Sequence, residues 1–322
     1  MRVSIHLKKL ALLAAIVVPI GAHAQSYPVK PVRILVGFTP GAGIDIAMRL
    51  IGPKIAEVLG QQIVIDNRPG AGGNIAAELG ARAPADGYTL FAGGAPAAIS
   101  QTLYSKLQYD LLKDFEAVAL VASVPAMLVV HPSLPARNLK EFVAIAKARP
   151  GQLTYASTGS GSSPHLIAEM LRMHSGISIL HVPYKGTPQA VTDLIAGNVT
   201  FMFANALSVL PHVQSKRLRA LAITSAKRNA VAPELPTVAE TYPGFESGTW
   251  YALAAPTGTS REIINRLNEA VTRVMQQPDV REKFMAQGAE VLSGSPQDAA
   301  AYFRAEVAKW GKVVKASGAT AN

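Results

Sequence analysis

Leu153-Thr-Tyr-Ala-Ser-Thr-Gly-Ser-Gly-Ser-Ser-Pro-His165 is the stretch whose reading decides the fold. Leu153 to Ala156 reads as a buried strand, and Pro164 to Met173 as a helix. Ser163 is the expected N-cap and Pro164 the first helical residue, where a missing N–H costs nothing. Between strand and helix, glycines let the chain turn tightly while hydroxyls and free N–H groups point one way. That is an anion cradle. A single turn of this kind could equally be a mobile Ser/Gly loop. Recurrence of glycine-rich strand-to-helix turns along the chain favours the cradle.

The same unit appears near the start. Val32 to Gly37 reads as a strand, Phe38-Thr-Pro-Gly-Ala-Gly43 as its turn, and Ile44 to Leu59 as a helix with Ile44, Ala47, Met48, Ile51 and Ile55 at helical spacing. Ile63 to Ile65 is a second strand, followed by Asn67-Arg-Pro-Gly-Ala-Gly-Gly73 and a helix from Asn74 to Arg82. Thr89 to Ala92 is a third strand. In the middle, Met127 to Val130 is a strand, and Asn138 with Glu141 caps a helix that stops at Pro150-Gly151. Ser178 to Val182 leads to Pro183-Tyr-Lys-Gly186 and a helix opened by Thr187-Pro188 and closed by Gly197. Val199 to Phe203 and Ala220 to Thr224 are further strands. Strands alternating with helices predict mainly parallel sheets flanked by helices.

The last third is helical. Thr259 and Glu262 are spaced as a capping box before Ile263, Ile264, Leu267, Val271 and Val274. Ser295-Pro296 opens a final helix with Phe303, Val307, Trp310 and Val314 on one face. No solenoid repeat and no low-complexity linker is present. Two α/β halves without a linker predict a bilobed protein: residues 25–125 with 223–322 in lobe one, and 126–222 in lobe two. Ligands of such sheets bind beyond the carboxyl ends of the strands, here in a cleft between the lobes.

The first 24 residues are expected to lie outside the fold. Arg2, Lys8 and Lys9 precede an apolar stretch from Leu10 to Ile20 and an Ala22-His-Ala24 cleavage site, the pattern of a secretory signal peptide. The stretch is well short of the ~18–20 residues that span a bilayer. Cleavage after Ala24 would shorten the 322-residue chain to 298 and lower its net charge from +10 to +7. With no cysteine anywhere, disulfides, thiol nucleophiles and thiolate metal sites are excluded. The basic residues are scattered without a run or an aromatic stripe, which argues against nucleic acid and for a solvated surface that attracts anions.

Catalytic chemistry is hard to find. Gly70-Ala-Gly-Gly-Asn-Ile-Ala76 fits a dinucleotide fragment, but Asn67-Arg-Pro69 lengthens the turn, and no cofactor is expected. The remaining histidines, His131, His174, His181 and His212, lack metal-ligand spacing. Gly159-Ser-Gly161 is too tight for a nucleophile elbow, so a hydrolase built on Ser160 and His165 is the runner-up reading. Trp250-Tyr251 could line a cleft or fill the core. Cradles without a nucleophile, a base pair or a metal describe capture rather than turnover. The helix starts after Gly43, Ser163 and Gly186 could converge on one anion, and a carboxylate suits neutral donors.

Several longer motifs carry a resemblance. Pro28-Val-Lys-Pro-Val-Arg-Ile-Leu-Val-Gly-Phe-Thr-Pro-Gly41, Asp66-Asn-Arg-Pro-Gly-Ala-Gly-Gly-Asn74, Asp86-Gly-Tyr-Thr-Leu90, Tyr155 to His165, His181-Val-Pro-Tyr-Lys-Gly186 and Leu218 to Arg228 together resemble the Bug family. These are extracytoplasmic solute receptors of tripartite tricarboxylate transporters. The resemblance implies a type II-like periplasmic binding protein, α/β in class, with two lobes that close on a di- or tricarboxylate, an acidic amino acid or an aromatic acid. It implies a periplasmic, monomeric receptor that meets membrane permease subunits only transiently; a sensor feeding a membrane kinase is an alternative use of the same closed lobes. Carried onto this chain, the ligand-binding residues are Phe38, Thr39, Gly41, Ala42 and Asp45 of the first loop. From the Ser/Gly loop they are Ser157, Thr158, Gly159, Ser160, Ser162, Ser163 and His165, faced by Tyr184, Lys185 and Asn205. Two departures stand out. Ala42 replaces a glycine usual in the first loop, and Ala204-Asn205 replaces an Asp-Asn pair. The missing acid is expected to disfavour amino-acid ligands.

Overall fold

The computed structural model describes residues 27–225, 227–228, 232–286 and 288–321, so the expected signal segment lies outside the described residues. In chain order the strands and helices are β1 (Val32–Val36), α1 (Gly43–Leu59), β2 (Ile63–Asn67), α2 (Asn74–Ala81), β3 (Thr89–Gly94), α3 (Ala95–Leu103), β4 (Phe115–Val130), α4 (Leu139–Ala148) and β5 (Leu153–Ser157). There follow α5 (Ser163–Ser175), β6 (Ile179–Pro183), α6 (Thr187–Ala196), β7 (Phe201–Asn205), α7 (Ala206–Gln214) and β8 (Arg219–Ile223). The chain ends with β9 (Gly248–Pro256), α8 (Arg261–Met275), α9 (Pro278–Met285), β10 (Glu290–Val291) and α10 (Pro296–Ser317).

The strands lie in the order β2-β1-β3-β9-β4-β7-β5-β6, with β8 and β10 added along β4. Each wing is a parallel trio: β2, β1 and β3 on one side, β7, β5 and β6 on the other. The centre is antiparallel, because β9 runs against both β3 and β4, and β4 against β7 and β8. The α/β class therefore holds, but the sheet is mixed.

Long strand β4 joins the wings. Phe115 to Pro125 pairs with β9, and Ala126 to Val130 pairs with β7 and β8. The change of partner falls at Pro125, which has no N–H to give a ladder. Thr224 stitches the junction: its Oγ1 accepts from Ala126 N at 2.9 Å, and its backbone N–H donates to Ala126 O. The same hydroxyl donates to Ser247 O, tying the segment before β9 to the end of β8.

Both sheet faces are covered by helices. Alternate β4 residues feed two separate cores: Leu120, Leu128 and Val130 on one face, and Val121, Met127 and Val129 on the other. A strand buried on both sides needs no polar alternation, so its sequence reads as one apolar run. On the first face α10 brings Phe303 and Trp310 against Trp250. The buried Glu306 carboxylate accepts both indole N–H groups, at 2.7 Å from Trp250 and 3.0 Å from Trp310.

The caps agree with expectation in two cases. Asn138 accepts from Glu141 N at 2.9 Å, and Ser295 forms a full capping box with Asp298. Two others shift by one residue. Ser162 rather than Ser163 is the N-cap of α5, so Pro164 is its second residue. Ser260 rather than Thr259 caps α8, because the Thr259 hydroxyl donates backwards to Pro256 O. Among the described residues no helix is long and apolar enough to cross a membrane.

Candidate functional site

A cavity of about 60 Å³ lies between the wings, and helix starts dominate its wall. Ala42 and Gly43 bring the start of α1, Gly72 and Gly73 lead into α2, and Gly94 with Pro96 opens α3. The opposite wing supplies Ser163 and Pro164 of α5, Thr187 of α6 and Asn205, the N-cap of α7. The three helix starts expected to converge, those of α1, α5 and α6, do so, and three more join them. A helix start offers unsatisfied N–H groups and the positive end of its dipole, worth ~0.3–1 kcal/mol to an anion at the surface and more when partly buried. Phe38, Phe91 and Met202 provide an apolar wall, and among the described residues no charged side chain lines the cavity.

Glycine at two positions lets these walls approach. A methyl at Gly43 would overlap the Tyr251 hydroxyl and come within 2.9 Å of Asn205 Nδ2. A Cβ at Gly72, whose φ is +68°, would stand 3.2 Å from Ser160 O. The two glycine-rich loops thus meet over the cavity, where the Tyr104 hydroxyl lies 3.3 Å from Ala71 O and 3.4 Å from Ser160 O.

Two lining residues carry buried polar atoms that have no partner among the described residues. Ser163 Oγ and Asn205 Oδ1 are buried without a hydrogen-bond partner. Asn205 Nδ2 donates to the Tyr251 hydroxyl. Burial pushes the Tyr251 pKa well above its ordinary value, so that hydroxyl keeps its proton and remains a donor.

Of the sequence-derived candidates, Phe38, Ala42, Thr158, Ser163 and Asn205 line the cavity. The others are not among its lining residues. Ser157 is fully buried, with Oγ 2.6 Å from His181 Nε2. Ser162 Oγ donates to Gly159 O at 2.7 Å, which holds the turn. His165 Nδ1 accepts from Gly161 N at 3.1 Å, and its ring stacks on His181 at 4.2 Å. It therefore buttresses the loop and makes no pair with Ser160, so the Ser160–His165 hydrolase geometry is not formed. Thr39 packs against Gly186, Tyr184 donates to Asp193 at 2.7 Å, and Lys185 is exposed. Ala204 is buried in the core and is not among the residues that line the cavity.

Asp45 also turns away. Its carboxylate accepts from Gly41 N at 2.8 Å, Arg49 Nε at 3.0 Å and Asn67 Nδ2 at 2.9 Å, while Asn67 also donates to Phe38 O. Burial alone would raise its pKa, but the bonds from Arg49, Gly41 and Asn67 outweigh burial and hold it below the ordinary value. Asp45 therefore fixes the shape of the Phe38–Gly41 loop. Asp45→Asn is expected to lose ~1–3 kcal/mol of stability at pH 7, because one amide cannot match three donors. A carboxylate with a lowered folded pKa contributes fully above its unfolded value and loses that contribution as pH falls through the folded one. Denaturant unfolding should therefore show the gap between the two proteins narrowing at pH 3; a constant gap would contradict the assignment.

Reasoning from sequence missed Gly93, Gly94, Pro96 and Ala97, because α3 was not foreseen. Of the Trp250-Tyr251 pair, Trp250 fills the core and Tyr251 faces the cavity, the alternation a strand imposes.

Two wings sharing strands β4 and β9, with a neutral donor-lined cavity between them, define a solute-binding receptor of the periplasmic binding protein type. The sequence model of the tripartite tricarboxylate transporter family receptor matches residues 47–319, and the chain belongs to that family. It is similar to the periplasmic binding protein BugD, at 32% identity and a TM-score of 0.88 over 91% of this chain and 99% of BugD. An R. palustris protein solved with adipate shares 38% identity, with a TM-score of 0.89 over 91% of this chain and 99% of that one. MatC from Rhodopseudomonas palustris, solved with bound malate, shares 34% identity, with a TM-score of 0.86 over 89% of this chain and all of MatC (100%).

Proposed function

We propose that this receptor captures a small carboxylate in the cavity and delivers it, in the periplasm, to the membrane subunits of a tripartite tricarboxylate-type transporter. The observation that carries the reading is a wall of helix starts with no charged side chain among the described residues. Neutral N–H and hydroxyl donors hold an anion without burying a counter-charge and its desolvation cost. The absence of a lining carboxylate leaves nothing to pair with a ligand ammonium, so plain acids should bind ahead of aspartate or glutamate. The adipate and malate of the two neighbours point to dicarboxylates.

Residues 25–125 with 223–322 and residues 126–222 would move as the two lobes. The change of strand partner at Pro125 and the Thr224 stitch support a hinge there. Protein unfolded and refolded to strip solute, then melted with adipate, malate, citrate, benzoate, aspartate, glutamate and a sugar, tests the reading. A ligand at ~100 times its Kd adds ~2.7 kcal/mol of stability. Stabilisation by one class of plain carboxylate is expected; silence from all of them beside a clear response to sugar or amino acid would overturn it.

A further inference from the structure

Six helices start at the cavity, and among the described residues none of them has a side-chain cap. Their N-caps are Ala42 for α1, Gly73 for α2, Gly94 for α3, Ser162 for α5, Gly186 for α6 and Asn205 for α7. Serine and asparagine are good capping residues. Here, however, Ser162 Oγ donates back to Gly159 O, and the Asn205 amide is spent on the Tyr251 hydroxyl. Helices that begin elsewhere behave differently. Asn138 accepts from Glu141 N at the start of α4, Ser260 from Ile263 N at α8, and Ser295 from Asp298 N at α10. Only α9, entered from Gln277, also lacks a cap among these.

The start of α1 shows that local geometry does not force the difference. It opens on Ala42-Gly-Ile-Asp45, and α10 opens on Ser295-Pro-Gln-Asp298. Each aspartate accepts from a backbone N–H of the entering chain, Asp45 from Gly41 at 2.8 Å and Asp298 from Ser295 at 2.9 Å. The N-cap backbones nearly coincide, with φ −69° and ψ 153° at Ala42 against φ −68° and ψ 164° at Ser295. The acid half of a capping box is therefore present in α1, and the hydroxyl half is missing. Alanine is a poor N-cap. It leaves the N–H groups of Gly43, Ile44 and Asp45 without an acceptor among the described residues. Buried N–H groups ordinarily have one. Ala42, Gly43 and Ile44 all line the cavity, and Ala42 is only 3% exposed.

We propose that the solute's carboxylate completes the uncapped start of α1, and that Ala42 is the specificity-determining residue that reserves those N–H groups for it. A side chain with no acceptor at position 42 selects a ligand group that is all acceptor, as an ionised carboxylate is. The protein thereby gives up stability when empty and regains it on capture. The inference rests on the carboxylate reading and adds to it one helix and one residue.

Ala42→Ser restores the missing hydroxyl, whose oxygen would stand where an anion's would. The test is thermal melting of solute-free protein, together with calorimetric titration with malate and with adipate. Solute-free Ala42→Ser should melt about 2 °C above the wild type. Its Kd for whichever acid binds the wild type should rise about tenfold, the loss of one charge-assisted hydrogen bond. Ala42→Cys adds at least as much bulk but is a poor acceptor, so it should melt near the wild type and lose less affinity. Ser295→Ala, at the capped start of α10, should melt lower with an unchanged Kd. Wild-type affinity in an Ala42→Ser protein that melts higher would show that the solute does not use α1. A loss in Ala42→Cys as large as in Ala42→Ser would assign the effect to bulk, and an unraised melting temperature in Ala42→Ser would show that no cap forms. Each of these overturns the proposal and leaves the carboxylate reading standing. Failure of both acids to bind the wild type would overturn the two together.

Discussion

Gly43→Ala should weaken solute capture about 100-fold, at ~1.4 kcal/mol per tenfold, while the protein stays folded. Gly43 opens α1, and its backbone needs no left-handed conformation, so alanine suits the local chain. The obstacle is across the cavity. The new methyl would overlap the Tyr251 hydroxyl and press on Asn205 Nδ2. Neither is a loose tip, since Tyr251 is buried and the two side chains are bonded together. Either α1 retreats, withdrawing its N–H groups, or the Tyr251–Asn205 pair yields. Overpacking of this kind costs ~1–3 kcal/mol. Added to the lost donor geometry, that gives a fall in affinity of about 100-fold, at ~1.4 kcal/mol per tenfold. Tyr251→Phe alone should lose about tenfold, the cost of one good hydrogen bond. The double variant should bind better than Gly43→Ala, because removing the hydroxyl makes room for the methyl, a coupling that a double-mutant cycle measures. Calorimetric titration with the carboxylate found by thermal screening gives the affinities, and circular dichroism checks the fold. Wild-type binding by Gly43→Ala would show that this corner of the cavity is not where the solute sits.

The parallel wings were legible because each repeats a strand, a glycine turn and an amphipathic helix. The centre was not. β9 and the first part of β4 are buried on both faces, so neither shows the alternation that marks a strand. Helix α3 hid in Gly93-Gly-Ala-Pro96, where glycine and proline read as a loop and the following alanines give no apolar stripe. The loops that build the cavity could be named from sequence, whereas the direction of each side chain could not. Asp45 follows the lining Ile44 yet serves the loop behind it, and Ser157 precedes the lining Thr158 yet bonds to His181. Such choices depend on partners distant in sequence. Asn67 reaches Asp45 from β2, and Tyr251 reaches Asn205 from β9.

His181 and His165 should make the protein lose stability as pH falls from 6.5 towards 4. Their rings are stacked 4.2 Å apart beneath Tyr155, and His181 Nε2 holds Ser157 Oγ at the root of the Ser/Gly loop. Burial, and then the neighbouring His165, push the His181 pKa down to about 4; burial also lowers His165, against the opposing pull of Glu169. The unfolded chain takes up a proton near 6.5, whereas folded His181 resists until about 4. Protons therefore favour unfolding between those values. The contribution of His181 is complete above pH 6.5, declines as pH drops, and is flat below about 4, and His165 acts in the same direction. At 1.36 kcal/mol per pKa unit, His181 accounts for up to about 3 kcal/mol, less for a ring that is partly exposed. Denaturant unfolding between pH 7.5 and 4.5 measures it. His181→Gln keeps a hydrogen bond to Ser157 but does not titrate, so its stability should be lower at pH 7.5 and change less on acidification. The upper half of this window lies above ordinary carboxylate pKa values, so acid-group titration contributes little there. Parallel curves for the two proteins would acquit the histidine pair. Because Ser157 and Gly159 anchor the loop over the cavity, solute affinity should weaken in the same window, and that loss should be reduced in His181→Gln.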